Sequence, residues 1–361
     1  MNKTANNLAE LIGDTPLVKV ASLSQLTGCD IYVKCEFLNP GGSVKDRAAL
    51  QMVTDAIASG ELKPGMSIVE GTAGNTGIGL AIVAKSLGYD LEVVMPKGQT
   101  KEKEQMIELH GAKLHLVDAV PFSNPAHFYH TARTMAENNP KYWWANQFEN
   151  LSNAKAHFEQ TGPEIYQQTD KEIDVFVSVA GTGGTLGGIS DYLKSQNPEI
   201  KTVAVDPDGS GILNYLAQGK HIATEGGSFT EGIGIMRLVE NFKQAKIDYA
   251  VNLPDKDIVT VANYVRKHDA LVLGSSSALN VTAAFFSALK FGPLGSNEKH
   301  SGQKHTIVTI ACDLGERSIS KLYNDEFLAT KNINVAEQNI EQLKQKYLAN
   351  TESLKKVDFS A

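Results

Sequence analysis

The chain has 361 residues and a mass of 39.0 kDa, more than one average domain requires and enough for two, since domains cluster at about 100–150 residues. Hydrophobic residues make up 42% and charged residues 21%, which excludes a disordered, collagenous or coiled-coil chain, and a formal net charge of −7 excludes the basic footprint of a nucleic-acid binder. The one departure from the ordinary is glycine, with 31 residues, or about 9% against a usual ~7%.

Cys29, Cys35 and Cys312 form neither a CxxC pair nor a disulfide framework, and no Cys/His cluster has zinc spacing. The cysteines therefore read as buried small hydrophobes of a reducing compartment, with no metal site. The first ten residues lack the apolar core of a signal peptide and the Arg-rich character of a transit peptide. No apolar run approaches the ~20 residues that cross a bilayer, so a cytoplasmic protein without a membrane is expected.

Short β-branched runs alternate with helical patterns almost from end to end. The first, Ile31-Tyr32-Val33-Lys34-Cys35, reads as a buried strand. It leads into Asn39-Pro40-Gly41-Gly42-Ser43-Val44-Lys45-Asp46-Arg47, which opens a helix with Ser43 as the expected N-cap. Lys45 then falls in the first turn, where the positive end of the helix dipole lowers an ammonium pKa and suits imine formation with an aldehyde. On position alone, a solvated first-turn lysine is the alternative.

A second strand, 67–70, meets Glu70-Gly71-Thr72-Ala73-Gly74-Asn75-Thr76-Gly77. Backbone N–H groups of this glycine loop, the free donors of the following helix and the Thr72, Asn75 and Thr76 side chains make a cradle for a carboxylate, or else an ordinary tight turn. The helix 76–87, closed by Gly88, is apolar almost all round and is predicted to be buried. Strand 91–95 follows. The alternation pauses at 141–153, where Lys141-Tyr142-Trp143-Trp144-Ala145-Asn146-Gln147-Phe148 reads as a strand running into a polar loop and marks an interdomain boundary.

Strand 174–179 opens onto Gly181-Thr182-Gly183-Gly184-Thr185-Leu186-Gly187-Gly188, where a phosphate would meet several backbone donors and two threonine hydroxyls. A dinucleotide site with Asp206 as the ribose acid is the rival. It fails on spacing, because the third glycine of GxGxxG would fall at Leu186, and no Walker lysine follows. Strand 202–205, helix 255–268 and strand 306–310 continue the pattern. From 332 to 361 the chain turns polar, with Ile340, Leu343 and Tyr347 at i, i+3, i+7, so a single amphipathic helix packed on the body or on a second subunit is predicted. Strands alternating with helices in this way imply parallel sheets covered on both faces.

The three glycine-rich turns, in this order, closely resemble the cysteine synthase (O-acetylserine sulfhydrylase) and cystathionine β-synthase family of pyridoxal-phosphate enzymes. The resemblance runs from Leu11-Ile12-Gly13-Asp14-Thr15-Pro16-Leu17 to Gly315-Glu316-Arg317 and includes Thr161-Gly162-Pro163-Glu164-Ile165 and Glu231-Gly232-Ile233-Gly234. It implies the tryptophan-synthase-β-like fold (fold type II): two three-layer α/β/α domains with mostly parallel sheets. The smaller, mobile one spans 46–150, the larger combines 1–45 with 151–330, and 331–361 is a helical tail. A homodimer is implied as well.

Carried over residue by residue, the resemblance makes Lys45 the Schiff-base lysine and Gly181, Thr182, Gly183, Gly184 and Thr185 the cradle of the pyridoxal 5'-phosphate phosphate group. Asn75 would face the ring's phenolic oxygen, and Ser276, in Gly274-Ser275-Ser276-Ser277, would bond the pyridine nitrogen; its alternative is a helix N-cap. Thr72, Ala73, Asn75, Thr76 and Gln147 would surround the substrate α-carboxylate, with Gly232 flanking the amino acid. The implied chemistry is a β-replacement on a serine derivative. Lys45 moves the α-proton, the β-substituent leaves an aminoacrylate, and sulfide or a thiol adds. Binding of the carboxylate would draw the 72–76 loop inward over the reacting group.

Two residues depart from the family pattern. Ala73 stands where the family usually has serine, so one hydroxyl contact to the carboxylate is missing, worth about 1 kcal/mol. Asp313 also stands where the cysteine synthases usually place serine. Its carboxylate either reaches the ring nitrogen and changes its electronics, or caps a turn or pairs with Arg317. Cysteine synthase, making cysteine and acetate from O-acetylserine and sulfide, is the leading activity. Cystathionine β-synthase or cysteine desulfhydrase activity is the alternative within the class, and a catalytically impaired ligand- or partner-binding homologue the alternative outside it.

Overall fold

Strands with no polar face are stable only where both faces are covered, and these strands are assembled in that way. A computed structural model describes residues 4–234, 237–295 and 304–360, so the first three residues of the N-terminal segment and the last of the tail lie outside the described residues. Eleven strands occur among them: β1 Leu17–Lys19, β2 Asp30–Cys35, β3 Ser67–Gly71, β4 Asp90–Pro96, β5 Lys113–Val117, β6 Tyr142–Trp144, β7 Val175–Val179, β8 Lys201–Pro207, β9 Lys246–Leu253, β10 Thr306–Ala311 and β11 Lys355–Ser360. They form a seven-stranded sheet in the order β1-β2-β10-β7-β8-β9-β11 and a four-stranded sheet in the order β5-β4-β3-β6. Pairing is parallel throughout the smaller sheet and in the larger one except at its two edges, β1 on β2 and β11 on β9.

Every residue of β7 is buried, and Ile307 of β10 lies opposite Ile31 on one side and Val175 on the other. The two helices that are apolar all round are buried. Asn75–Leu87 has an unbroken buried run from Thr76 to Ala84, and Ser275–Phe291 is buried from Ser276 to Leu289. Each belongs to a separate core, one on each sheet.

Sequence and structure differ at several elements. Helix Lys45–Ser59 takes Val44 as its N-cap; Ser43 sits one residue earlier, its Oγ accepting from the Lys45 backbone N–H at 3.3 Å. β9 escaped the sequence reading because Asp248 and Asn252 interrupt its apolar run. The tail contains the expected helix, Ile340–Ala349, whose Tyr347 stacks on Phe286 at 4.2 Å and donates to Asp257 at 2.9 Å. It then adds the unforeseen β11, which covers the β9 edge that would otherwise be an open template for another chain.

A buried ionic knot fastens the start of helix Lys45–Ser59 to the larger sheet. Arg47, fully buried, donates Nε to Glu36 at 2.8 Å and Nη1 to Glu164 at 2.6 Å, and its Nη2 reaches both carboxylates and the Thr15 hydroxyl. Lys34, also buried, pairs with Glu164. Replacing the guanidinium leaves the buried Glu36 carboxylate and the partly buried Glu164 carboxylate undercompensated, at a cost of about 3–5 kcal/mol. Arg47→Met is therefore expected to lower the unfolding free energy by that amount in urea titrations, and an unchanged midpoint would show the knot to be energetically neutral.

Candidate active site

In open parallel sheets ligands bind beyond the carboxyl ends of the strands. Here the ends of β3, β7 and β10 converge on one cavity of about 280 Å³. Its lining brings together Lys45, Thr72, Ala73, Asn75, Thr76, Gln147, Gly181, Thr182, Gly183, Thr185, Gly232 and Ser276, which is every residue the resemblance assigns to cofactor or substrate except Gly184. Gly184 is the first residue of the helix that follows the loop, Gly184–Gln196, and packs against Asn153. Ser276 is in the second position of its helix, whose N-cap is Gly274, so the N-cap alternative does not describe it.

Burial drives the Lys45 ammonium below its usual pKa, while Cys312 and Asp313 pull the other way. The position in the first helical turn adds a dipole of the same sense as burial. A lowered pKa makes the free amine, which is both a nucleophile and a proton acceptor, easier to form.

The glycine loop after β7 faces the cavity with its backbone. The N-cap of helix Gly184–Gln196, Gly183, supplies no side-chain cap, and although Gly184 N–H donates to Thr182 Oγ1 at 3.4 Å, the helix start offers backbone N–H groups to an anion. Gly181 has to be glycine, since a Cβ there would lie 2.2 Å from the carbonyl oxygen of Gly232. The two threonines are held from beneath by residues the sequence reading missed. Asn153 donates to Thr182 Oγ1 at 2.9 Å. His157, neutral because burial pushes its pKa well below the usual value, bonds Thr185 through Nε2 at 3.2 Å and Thr161 through Nδ1 at 2.9 Å. Asn153 and His157 are four residues apart and so share a helix face; that spacing was the available signal. A π-helical turn, His157–Thr161, interrupts the helix there, a distortion common at functional sites.

On the opposite wall, Thr76 Oγ1 donates to Gln147 Oε1 at 2.6 Å, and Gln147 Nε2 donates to the Gly71 carbonyl at 2.9 Å. Asp313 does not line the cavity. Its carboxylate turns instead to Asn75, whose Nδ2 donates to it at 2.8 Å, and Arg317 bonds the same side chain rather than Asp313.

Comparison with known proteins agrees with this geometry. Residues 8–313 match the model of a family described as pyridoxal-phosphate dependent enzyme. The chain belongs to that family. It is 45% identical over 349 residues to cysteine synthase 2 of Schizosaccharomyces pombe, covering 91% of this chain and 86% of the relative, and 42% identical to the cysteine synthase of Dictyostelium discoideum, covering 92% and 88%. Among solved structures it is similar to O-acetyl serine sulfhydrylase isoform 3 of Entamoeba histolytica, with a TM-score of 0.80, 32% identity and coverage of 96% and 97%. The protein is thus an enzyme of fold type II that uses pyridoxal phosphate. The cavity suits that group, offering a half-buried amine of lowered pKa for its aldehyde and an uncapped helix start for its phosphate.

Beside the cavity of this pyridoxal-phosphate enzyme, Glu70 is fully buried. Burial pushes its carboxyl up to about 8, although Gln147 and the Asn146 backbone pull it down. In the folded chain it stays protonated up to about pH 8, whereas in the unfolded chain it ionises above its ordinary value of 4.5, so folding takes up a proton in that window. The stability that this neutral acid contributes is present below about pH 4.5 and is lost as pH rises through about 8. Glu70→Gln is therefore expected to gain stability relative to wild type as pH rises across that range, read as a growing difference in urea midpoint; a constant difference would refute the assignment.

Proposed function

We propose that this enzyme is a cysteine synthase, converting O-acetylserine and sulfide to cysteine and acetate. The observation that carries the reading is the placement of a half-buried Lys45, its pKa lowered, in one cavity between an anion cradle at 181–185 and a polar loop at 72–76. The similarity to cysteine synthases over nearly the whole chain supports it.

In this reading Lys45 anchors the cofactor's aldehyde, the 181–185 loop holds its phosphate, Ser276 meets the ring nitrogen and Asn75 the ring oxygen. The bound cofactor supplies the electron sink for the charge left at the substrate α-carbon. Thr72, Asn75, Thr76, Gln147 and the backbone at Ala73 grip the α-carboxylate, and Gly232 borders the amino acid. Lys45 would hold the cofactor until the substrate amine takes its place, and its free Nζ would then be the base that takes the α-proton. Acetate departs with the β-carbon bonding pair, hydrosulfide bonds to that carbon, and Lys45 returns the proton to the α-carbon. The apolar walls supplied by Phe128, Phe148 and Ile233 keep water from competing with sulfide. The smaller unit, 46–150, moves against the remainder to open and close the cavity, and the enzyme works as a homodimer in the cytoplasm.

The test is the product formed by purified holoenzyme from a panel of serine derivatives, with sulfide, cysteine or homocysteine as second substrate. Cysteine from O-acetylserine and sulfide is expected, and Lys45→Ala should slow it at least about 100-fold. Preferential formation of cystathionine, release of sulfide from cysteine, or no turnover with any pair would replace the reading by the synthase, the desulfhydrase or the impaired binder respectively.

A further inference from the structure

The side chain of Asn75 is gripped at both ends. Its Nδ2 donates to Asp313 Oδ2 at 2.8 Å, and its Oδ1 accepts from Arg317 Nη1 at 2.9 Å. Asp313 is 5% exposed and Arg317 8%, so both partners reach the half-buried amide from the protein interior. A carboxylate only accepts and a guanidinium only donates. A flipped amide would set oxygen against carboxylate and N–H against guanidinium, so the chemistry of the two partners permits one orientation alone.

The grip is itself built in. The Asp313 backbone is tied to the serine-rich turn through Gly274 N–H at 3.1 Å and Ser277 Oγ at 2.8 Å, and it bridges to Ser43 of the Lys45 loop. Gly274 leaves room for the carboxylate, since a Cβ there would lie 2.0 Å from Asp313 Oδ1. Arg317 in turn donates to the Gly41 carbonyl of the Lys45 loop.

We propose that Asp313, with Arg317, is the positioning residue that holds Asn75 as a hydrogen-bond donor, its second N–H presented to the cofactor ring. The inference rests on the placement of Asn75 against the ring oxygen in the proposed function. A serine at 313 both donates and accepts and would leave Arg317 alone to set the amide's orientation; aspartate sets it from the other end as well. The clamp also ties the two sheets together at the cofactor, because Asn75 follows β3 and Asp313 follows β10.

The test measures cofactor retention by equilibrium dialysis of the holoenzyme, alongside its cofactor absorption spectrum and thermal midpoint. Asp313→Asn, which can donate to a flipped Asn75, should weaken retention about tenfold, as loss of one charge-assisted hydrogen bond would, and shift the absorption band. Asn75→Ala should weaken it similarly, and the double variant no further than Asn75→Ala alone. Asp313→Asn that retains cofactor like wild type while Asn75→Ala does not, or losses that multiply in the double variant, would overturn the clamp alone. If Asn75→Ala retains cofactor like wild type, the placement of Asn75 fails and the clamp fails with it. The exchanged pair Asn75→Asp with Asp313→Asn covers a folding defect in the single variant. It rebuilds a donor–acceptor contact and should recover the thermal midpoint while still losing cofactor; retention at the wild-type level would overturn the proposal.

Discussion

The buried contact between Arg47 and the carboxylates of Glu36 and Glu164 is the constraint from which the site is built. Arg47 is two residues from Lys45, so fixing its guanidinium fixes the first turn of the helix that carries Lys45 into the cavity. The partners come from the segment after β2 and from helix Gly162–Gln168, and Thr15 of the N-terminal segment joins them. Desolvating these charges is costly, and their mutual geometry offsets that cost only while all are present. Such a knot rewards one arrangement of several chain segments.

Around this anchor the sheets contribute loops rather than strands. The cavity-lining residues gather where β3, β7 and β10 end, and each of these ends turns sharply into a helix or a helical turn. Parallel strands aim these turns in the same direction, so residues far apart in the chain share one cavity. Asn153 and His157 then brace the threonines of the loop after β7, and Asp313 with Arg317 braces Asn75. The cavity-lining residues are thus oriented by a surrounding set of buried polar groups whose own bonds are satisfied.

Much of the cavity was legible along the chain because its chemistry is local. Loops 39–47, 70–77 and 181–188 each combine glycine, a hydroxyl or amide side chain and a strand-to-helix turn within a few residues, and the buried helix 76–87 was visible as an almost wholly apolar run. β9 was not legible, because Asp248 and Asn252 bond to neighbouring elements and so spoil the apolar pattern. Nor was β11, since Lys355-Lys356-Val357-Asp358-Phe359-Ser360 becomes a strand only by finding the open edge of β9.

The sequence by itself determined which residue types could hold a phosphate, a carboxylate and an aldehyde, and the order of the strands that deliver them, because glycine turns and hydrophobic period are properties of neighbours. Tertiary structure alone decided which distant groups orient them. Asn75 meets Asp313 across 238 positions and Arg47 meets Glu164 across 117. No local pattern encodes those pairings, which arise when parallel strand ends are packed side by side and buried charges must find one another. Asp313 illustrates the difference: its identity was visible in the chain, but its direction, toward Asn75 rather than into the cavity, follows from the space left by Gly274 and from the amide donor within reach.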